Sequence, residues 1–343
     1  MTPLARLIAD QIAKTGPISL AEYMALALGH PQHGYYCRRD PLGQAGDFTT
    51  APEISQMFGE MIGLWLLSIW QSAGKPAPFR LVELGPGRGT LMADALRAAR
   101  LDPGFAVAAD LWLVETSPVL RAAQAERLPQ AAWADTVTEV PTGPMLLVAN
   151  EFFDALPVHQ FLRSPEGWRE VCVGLEDGHL TRGLSAPLPG PEDGEWREES
   201  PLADRIAEEI ARRIATDGGA AMIVDYGYTT ADRPPGPTLQ ALRNKAPADP
   251  LDTPGSADLT WLIDFDHLAD RLSPLAAWRT TQGAFLASLG IGQRAAALAR
   301  ARPTEATTIA DALERLTAPE HMGQLFKVLA ALPHGQSPPA GFP

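Results

Sequence analysis

The chain has 343 residues, of which 45% are hydrophobic and 20% are charged, the composition of an ordinary globular protein. This length suits one large domain or two ordinary ones. The formal net charge of −13 disfavours a nucleic-acid-binding face, because such faces carry excess positive charge. The two cysteines, Cys37 and Cys172, belong to no C-x-x-C pair or histidine cluster. We therefore expect free thiols, no disulfide framework and no metal site.

The longest apolar run, Met61 to Trp70, is too short for a bilayer-spanning helix, which needs about 20 apolar residues. Residues 2–14 have apolar side chains at helical spacing and lack the unbroken apolar core of a secretion signal. We expect no transmembrane segment. We expect a cytoplasmic protein if the source is bacterial and a mitochondrial matrix protein if it is eukaryotic, although no clear transit peptide is visible.

Residues 1–75 are expected to form a helical extension ahead of the main domain. Thr50 and Glu53 form a capping-box pattern, and Pro52 suits the first turn of a helix. The pattern predicts one helix from Ala51 towards Trp70. The polar segment before the cap is then a loop that leads to the N-terminus of a helix.

A glycine turn follows, between a predicted buried strand and a predicted helix. It contains Gly85, Gly87 and Gly89, within L-V-E-L-G-P-G-R-G-T at residues 81–90. The next residues, to about Arg100, place apolar side chains at the 3–4 spacing of a helix. Such a unit lets a ligand approach the backbone closely, beside the positive end of a helix.

The spacing of these glycines separates two kinds of ligand. Dinucleotide-binding turns have the pattern G-x-G-x-x-G, whereas Thr90 stands here in place of the third glycine. Pro86 also removes one backbone N–H that a pyrophosphate would need. Glu83, two residues before the first glycine, adds negative charge. The turn therefore favours a ligand with a cationic portion, and it disfavours an NAD-dependent oxidoreductase.

Strands and helices alternate after the glycine turn. Helical patterns at 118–127 and 202–215 accompany apolar runs that predict strands at residues 110–114, 132–135, 145–149 and 220–224. This alternation predicts an α/β fold with a doubly wound, mostly parallel sheet, in a main domain over residues 76–332.

Ligands of such sheets bind beyond the carboxyl ends of the strands. Polar side chains lie at or just beyond those ends, namely Glu83, Glu115, Asp135, Asn150 and Glu151. Asp225 follows the strand at 220–224 in the same way. This joint placement is the strongest purely physical indication of a functional crevice.

Other segments break the alternation. Short antiparallel strands around turns predict an inserted β-meander or lid at about 155–200. Residues 229–259 are rich in Pro, Asp and Gly and are expected to form a long irregular loop. Residues 322–331 predict an edge strand that closes the sheet, and residues 333–343 predict a disordered tail.

Several motifs together make the chain recognisable. G-D-F-T-T-A-P-E-I-S, V-E-L-G-P-G-R-G-T, N-E-F-F-D-A-L-P-V, D-Y-G and T-Q-G-A-F-L begin at residues 46, 82, 150, 225 and 281 respectively. In this order and over nearly the whole chain, the sequence resembles the MidA-like family, whose mitochondrial member is the complex I assembly factor 7 protein arginine methyltransferase. The first and third motifs are specific to that family, whereas the glycine turn alone is not.

This resemblance implies a class I methyltransferase fold (Rossmann-like) and S-adenosyl-L-methionine as methyl donor. Glu115 would accept the ribose hydroxyls, Asp135 would accept the adenine amino group, and Asn150 and Glu151 would lie over the methionine end. The complete set of expected cofactor contacts is Gly46, Thr49, Thr50, Glu83, Gly85, Gly87, Gly89, Thr90, Glu115, Asp135, Asn150 and Glu151.

The implied acceptor is a protein substrate, an arginine on the quinone-proximal peripheral-arm subunit of NADH:quinone oxidoreductase (complex I), methylated during assembly. A guanidinium is cationic and planar, so carboxylates are needed to hold it. We expect Glu151 and Asp154, with Glu53 or Asp47, to form this acidic clamp.

Two other functions remain open at this point, a small-molecule methyltransferase and a non-catalytic complex I assembly chaperone. The sequence also departs from the family pattern at Trp261-Leu262, where relatives commonly carry smaller or polar residues, and at Ala134, where a histidine is common. These departures concern substrate contacts and the adenine pocket more than the fold.

Overall fold

A computed structural model describes residues 2–38 and 50–343 of the chain. Helices occur where the N-terminal extension is predicted. This part contains α1 (Pro3–Thr15), β1 (Ile18–Ser19), α2 (Leu20–Gly29), α3 (Tyr35–Arg38), α4 (Ala51–Ile54) and α5 (Gln56–Ser72).

The first half of the main sheet follows, with its helices. Its elements are β2 (Phe79–Leu84), α6 (Thr90–Ala99), α7 (Pro103–Ala108), β3 (Ala109–Val114), α8 (Pro118–Arg127), β4 (Ala132–Ala134) and β5 (Met145–Asn150). The insertion then contains β6 (His159–Ser164), β7 (Gly167–Glu176), β8 (His179–Leu184) and β9 (Trp196–Glu199).

The second half begins with α9 (Pro201–Asp217) and the long strand β10 (Gly219–Tyr228). After these come β11 (Gln240–Arg243), β12 (Ala246–Pro247), β13 (Asp258–Thr260), β14 (Ile263–Asp264) and α10 (Phe265–Arg271). The remaining elements are β15 (Ala276–Thr281), α11 (Gln282–Ser288), α12 (Ile291–Ala301), α13 (Ala306–Thr317) and β16 (Phe326–Leu332).

The main sheet has the strand order β15-β16-β10-β5-β2-β3-β4, and β14 pairs in parallel with the last two residues of β10. The strands from β10 to β4 in this order pair in parallel, whereas β16 is antiparallel to both of its neighbours. The expected doubly wound, mostly parallel sheet is therefore present.

Both faces of this sheet are buried because alternate side chains enter two different cores. Val82 and Leu147 pack with α1, α2, α9 and α10 on one face. Leu81 and Leu146 pack with α5, α6 and the helices α11–α13 on the other face. The N-terminal helices therefore contribute to both cores, and the proposed division at residue 75 separates sequence segments that pack together.

The insertion forms an antiparallel sheet, as expected from its turns. β7 pairs with β6 and β8, β6 pairs with β9, and β1 of the N-terminal extension pairs with β7. Whether this sheet acts as a lid remains a prediction. Its strands β6–β9 contribute no residue to the wall of the cavity described below, over the chain segments that the structure describes.

Three expectations about secondary structure are wrong. β16 is buried along its whole length inside the sheet, and the edge strand is the half-buried β15, whose mixed sequence gives no strand signal. The segment expected to be an irregular loop at 229–259 contributes a small sheet of β12, β11 and β13. The expected disorder of residues 333–343 is contradicted by Phe342, whose ring packs 5.5 Å from that of Phe285.

The expected capping box is also wrong. Thr50 precedes α4 but its side chain makes no capping bond, and the Glu53 carboxylate accepts a hydrogen bond from Thr90 instead. Ser55 is extended and interrupts the expected continuous helix. Its hydroxyl oxygen accepts from the N–H of Met57, 3.2 Å away, and so begins α5.

Close packing of α5 on α6 depends on a glycine. A Cβ atom added at Gly63 would lie 2.7 Å from the Cα atom of Ala95 and closer still to its carbonyl oxygen. α6 directly follows the glycine turn, so this contact holds the turn in place relative to the core.

We predict that Gly63→Ala destabilises the protein by about 1–3 kcal/mol, because the added methyl group forces the two helices apart. Gly292→Ala is the matched control, since Gly292 lies in α12 and nothing is within 4 Å of an added Cβ. The control should be neutral or stabilising by up to about 1 kcal/mol, because alanine favours helices. Urea unfolding followed by circular dichroism measures both changes, and equal stabilities would contradict the prediction.

Candidate active site

A cavity of about 760 Å³ lies beyond the carboxyl ends of the parallel strands. Its wall includes residues that follow β2, β3, β4 and β5, together with parts of α2, α4 and α9. This is the position where open parallel sheets bind ligands, and the volume is in the range of sites for small molecules and cofactors.

The glycine turn forms one side of this cavity. Gly85 has φ of 59°, and a Cβ atom at this position would lie 2.8 Å from the ring of Phe152. Gly85 and Gly87 line the cavity, as expected for cofactor contacts. Gly89 differs, because it is the left-handed N-cap of α6 and faces Leu128. Among the described residues it is not part of the wall, so its role is to shape the turn.

Glu53 and Thr90 both line the cavity and bind each other. The Thr90 hydroxyl donates to Glu53 Oε1 over 2.6 Å and accepts from Arg127 Nη1 over 2.6 Å. Arg88 Nη1 lies 3.9 Å from Glu53 Oε2. The carboxylate of Glu53, expected in the acidic clamp, is therefore already engaged with the glycine turn.

Glu83 places a buried carboxyl group at the end of β2. Its side chain lines the cavity, the residue is 2% exposed, and its Oε2 atom has no hydrogen-bond partner within the described parts of the chain. Burial raises the pKa of this carboxyl group well above its usual range. An unpaired buried carboxyl group fits a ligand that brings a positive charge to it.

Glu115 and Asp135 follow the next two strands. Glu115 Oε1 accepts from the N–H of Ser117 over 2.7 Å, and Gln124 Nε2 lies 3.4 Å from Oε2. Burial raises the pKa of the Glu115 carboxyl group. Asp135 lies at the rim, where its exposed carboxylate pairs with Arg121 over 2.6 Å. Both residues line the cavity, and their roles as ribose and adenine contacts stay predictions.

Asn150 and Glu151 form the end of β5 and the start of a tight turn. Glu151 has φ of 51°, a conformation that is uncommon for a residue with a side chain. Its Oε1 atom accepts from Asn150 Nδ2 over 3.0 Å and from the N–H of Ala51 over 3.3 Å. Burial raises the pKa of the Glu151 carboxyl group to about 7. Asn150 Oδ1 is buried and has no partner in the described structure.

Asp154 completes this turn and is 2% exposed. Its pKa is raised well above the usual range by burial and by the nearby carboxyl groups of Asp225, Glu151 and Asp258. Asp154 and Glu151, the two central members of the expected clamp, therefore line the same cavity.

Two further acidic residues were not among the expected site residues. Asp258, from β13, lines the cavity and accepts a hydrogen bond over 2.9 Å from the hydroxyl of Tyr36 in α3. Asp225, within β10, is fully buried and binds the backbone of the turn at 152–154. The sequence shows Asp225 after a buried apolar run without indicating its role, whereas Asp258 lies in a segment without such a signal.

Of the other site residues expected from the sequence, the structure describes some and not others. Thr50 lines the cavity. Gly46, Thr49 and Asp47 lie outside the described residues. Trp261, a departure from the family pattern, donates its backbone N–H to the carbonyl oxygen of Asp154 over 3.1 Å and so supports the turn.

Neither a metal site nor a membrane span emerges from the structure of residues 2–38 and 50–343. No three side chains among His, Cys, Asp and Glu are grouped there in a way that would hold a metal ion. None of the helices there combines the length and the apolar composition needed to cross a membrane.

Comparison with known proteins identifies relatives of this chain. A family model described as S-adenosyl-L-methionine-dependent methyltransferase matches residues 61–282, more than half of the chain. Protein arginine methyltransferase NDUFAF7 homolog of Drosophila melanogaster is 39% identical, with 96% of this chain and 85% of the relative covered. The NDUFAF7 protein of Mus musculus is 38% identical, with 97% of this chain and 85% of the relative covered. That of Homo sapiens is 37% identical, with 97% of this chain and 84% of the relative covered. All three are named as mitochondrial, so they give no support to a cytoplasmic location.

Solved structures show the same fold. A Burkholderia thailandensis protein bound to S-adenosyl-homocysteine has a TM-score of 0.86 at 24% identity, covering 98% of this chain and 94% of its own. A second structure from that organism has a TM-score of 0.83 at 26% identity, covering 99% and 94%.

S-adenosyl-L-methionine is the cofactor, and the cavity fits it. The unpaired oxygen atoms of Glu83 and Asn150, the glycine turn and the Glu115 carboxylate suit a ligand with a cationic end and hydroxyl groups. The expected family resemblance is confirmed. This chain belongs to the family of S-adenosyl-L-methionine-dependent methyltransferases that includes the mitochondrial NDUFAF7 proteins.

Proposed function

We propose that this protein transfers a methyl group from S-adenosyl-L-methionine to an arginine side chain of a protein. The observation that carries the proposal is the group of carboxyl groups in the cavity wall, from the half-buried Glu151 and the buried Asp154 and Asp258. The names of the NDUFAF7 relatives, which describe protein arginine methyltransferases, agree with this acceptor.

These carboxyl groups suit a cationic acceptor. Within the described structure, no salt bridge reaches Glu151 or Asp154. Burial without a cation favours the protonated forms, which is why their pKa values are raised. A guanidinium that enters the cavity supplies the missing positive charge and can bind a carboxylate through two parallel hydrogen bonds.

The cofactor would be held on the opposite side, by groups of the glycine turn and of the following strands. When bound, S-adenosyl-L-methionine supplies an electrophilic methyl group on its sulfonium. We propose as its contacts the cavity-lining residues Thr50, Glu83, Gly85, Gly87, Thr90, Glu115, Asp135 and Asn150.

Glu151 has the geometry to orient the acceptor. Its Oε1 atom is fixed by the N–H of Ala51 and the amide of Asn150, whereas its Oε2 atom has no donor in the described structure. Oε2 is therefore available to bind a guanidinium N–H and to take the proton that the methylated nitrogen releases. Asp154 and Asp258 hold the rest of the guanidinium, and Glu53 stays with the glycine turn.

The family resemblance suggests a particular protein acceptor. We propose that it is the quinone-proximal peripheral-arm subunit of complex I, methylated during assembly. This acceptor requires the methyltransferase to be present where the peripheral arm is built, which is the cytoplasm of a bacterium or the matrix of a mitochondrion.

We expect deletion of the gene to remove a methylarginine from a complex I subunit, and the wild-type gene to restore it. Mass spectrometry of the purified peripheral arm measures this, with unrelated methylarginine proteins as internal controls. Labelled cofactor that marks only small molecules in a cell extract would contradict a protein acceptor. An unchanged peripheral arm together with a different labelled protein would overturn only the complex I assignment.

We expect Glu151→Gln to reduce methyl transfer by about 100-fold or more, because glutamine cannot hold the guanidinium as an anion or take its proton. Cofactor binding, measured by calorimetry, should persist because glutamine keeps the acceptor oxygen for Ala51 and Asn150. Glu198→Gln is the control, since Glu198 is a carboxylate bonded to Thr238 outside the cavity wall. Turnover of Glu151→Gln equal to that of the control would contradict the assignment.

Activity should also depend on pH near neutrality. The pKa of Glu151 is raised to about 7, so its guanidinium-binding carboxylate form is lost as the pH falls through that value. We expect kcat/KM, which reports the free enzyme, to fall about tenfold for each pH unit below this point. A profile that stays flat through neutrality would contradict a role for ionised Glu151.

A further inference from the structure

We propose that Asp225 is a positioning residue, whose buried carboxylate holds the turn at 151–154 in the conformation that aims Glu151 into the cavity. This inference rests on the proposed role of Glu151 in binding the acceptor. Asp225 itself is not part of the cavity wall among the described residues, so it acts through the backbone.

The contacts of Asp225 are concentrated on this turn. Its Oδ2 atom accepts hydrogen bonds from the backbone N–H groups of Phe152, Phe153 and Asp154, over 3.2, 2.9 and 3.3 Å. Its Oδ1 atom accepts from the N–H of Tyr226 over 2.9 Å. One carboxylate therefore binds three consecutive donors of a loop that makes no helix or strand, and Asp225 is 0% exposed.

The turn needs such support because of its backbone conformation. Glu151 is left-handed, with φ of 51°, which is unfavourable for a residue with a Cβ atom. Such a conformation persists only where the surrounding structure holds it. Besides the bonds from Asp225, the N–H of Glu151 donates to the carbonyl oxygen of Val224 over 2.9 Å. Val224 and Asp225 of β10 together therefore bind each backbone N–H from Glu151 to Asp154.

The charged groups around Asp225 come from several elements. The carboxyl groups of Glu151 and Asp154 are near Asp225, and that of Asp258 is near Asp154. The Tyr226 phenol lies on β10, and the charge of Arg315 in α13 lowers the pKa values of Glu151 and Tyr226. Lys327 pairs in register with Asp225, but its amino group binds Gln324 and Asp232. Burial, and after it the like charge on Glu151, raise the pKa of Asp225 to about 8.

Asp225→Asn is the sharpest substitution because it keeps size and shape. An asparagine has one acceptor oxygen, so its amide nitrogen must face either the three N–H groups of the turn or the N–H of Tyr226. A protonated Asp225 likewise has one acceptor oxygen, so the variant resembles the wild type below about pH 8. The loss of rate is therefore expected to be largest above that pH, where the wild-type carboxyl group is ionised.

The assay uses tritiated S-adenosyl-L-methionine and protein extract from cells that lack the gene, with the initial rate taken at limiting extract. We expect Asp225→Asn to lower this rate by about 10- to 100-fold, as small displacements of reacting groups do. The dissociation constant for S-adenosyl-L-methionine should stay within about threefold. The difference in rate between wild type and Asp225→Asn should be largest above about pH 8 and smaller below it, where Asp225 of the wild type carries a proton.

Glu198→Gln is the matched control for loss of a half-buried anchoring carboxylate. Glu198 binds the N–H of Thr238 over 2.8 Å and the amide of Gln160 over 2.6 Å, away from the cavity wall. Its rate should stay within about twofold of wild type both above and below pH 8. For Asp225→Asn, a rate within about twofold of wild type would overturn the proposal. An equal loss of rate at every pH would also overturn it, because mere loosening of the fold has that effect.

Hydrogen exchange of the wild-type protein tests the same contacts if the variant does not fold. We expect the amides of residues 152–154 to lose protection, relative to the amides of β5, when the pH falls below about 8 and Asp225 takes up a proton. If the ratio of protection between the amides of 152–154 and those of β5 stays constant as the pH falls, the proposal is overturned. If the wild type labels no protein at all, the proposed acceptor is wrong, and this exchange measurement still decides whether Asp225 holds the turn.

Discussion

Burial of the central strands on both faces is the constraint that organises this molecule. β5 is buried from Met145 to Asn150, and the part of β10 from Ala220 to Asp225 is fully buried. Polar side chains in such strands are costly unless they are hydrogen-bonded, protonated or met by a ligand. They are therefore found at the carboxyl ends, where the strands open into one cavity. The same burial that stabilises the sheet gives those side chains their unusual chemistry.

Both molecules that we assign to this cavity carry positive charge, and acidic side chains line its wall. We assign Glu83 to the cofactor, and Glu151, Asp154 and Asp258 to the proposed acceptor. Burial raises the pKa of the Glu83, Glu151 and Asp154 carboxyl groups, and an incoming cation favours their ionised forms. Binding of the acceptor and ionisation of the site are therefore linked, since each makes the other more favourable.

The N-terminal extension belongs to the active unit because its groups complete the site. The N–H of Ala51 in α4 binds Glu151, and the hydroxyl of Tyr36 in α3 binds Asp258. The carbonyl oxygen of Tyr36 also accepts from the Ser117 hydroxyl, next to Glu115. These bonds join the start of the chain to the ends of three different strands. Residues before the glycine turn and residues after it therefore build one site.

The sequence by itself determined the sheet, the glycine turn and the acidic ends of the strands, because these depend on local patterns of apolar and polar residues. It also carried the family motifs that imply the cofactor. Only the tertiary structure decided the partners: Thr90 for Glu53, the turn at 152–154 for Asp225, and Tyr36 for Asp258. It likewise placed β15 at the edge and β16 inside the sheet. The physical reason is that a hydrogen-bond partner or a strand neighbour is chosen by packing between segments far apart in the chain, which local patterns do not record.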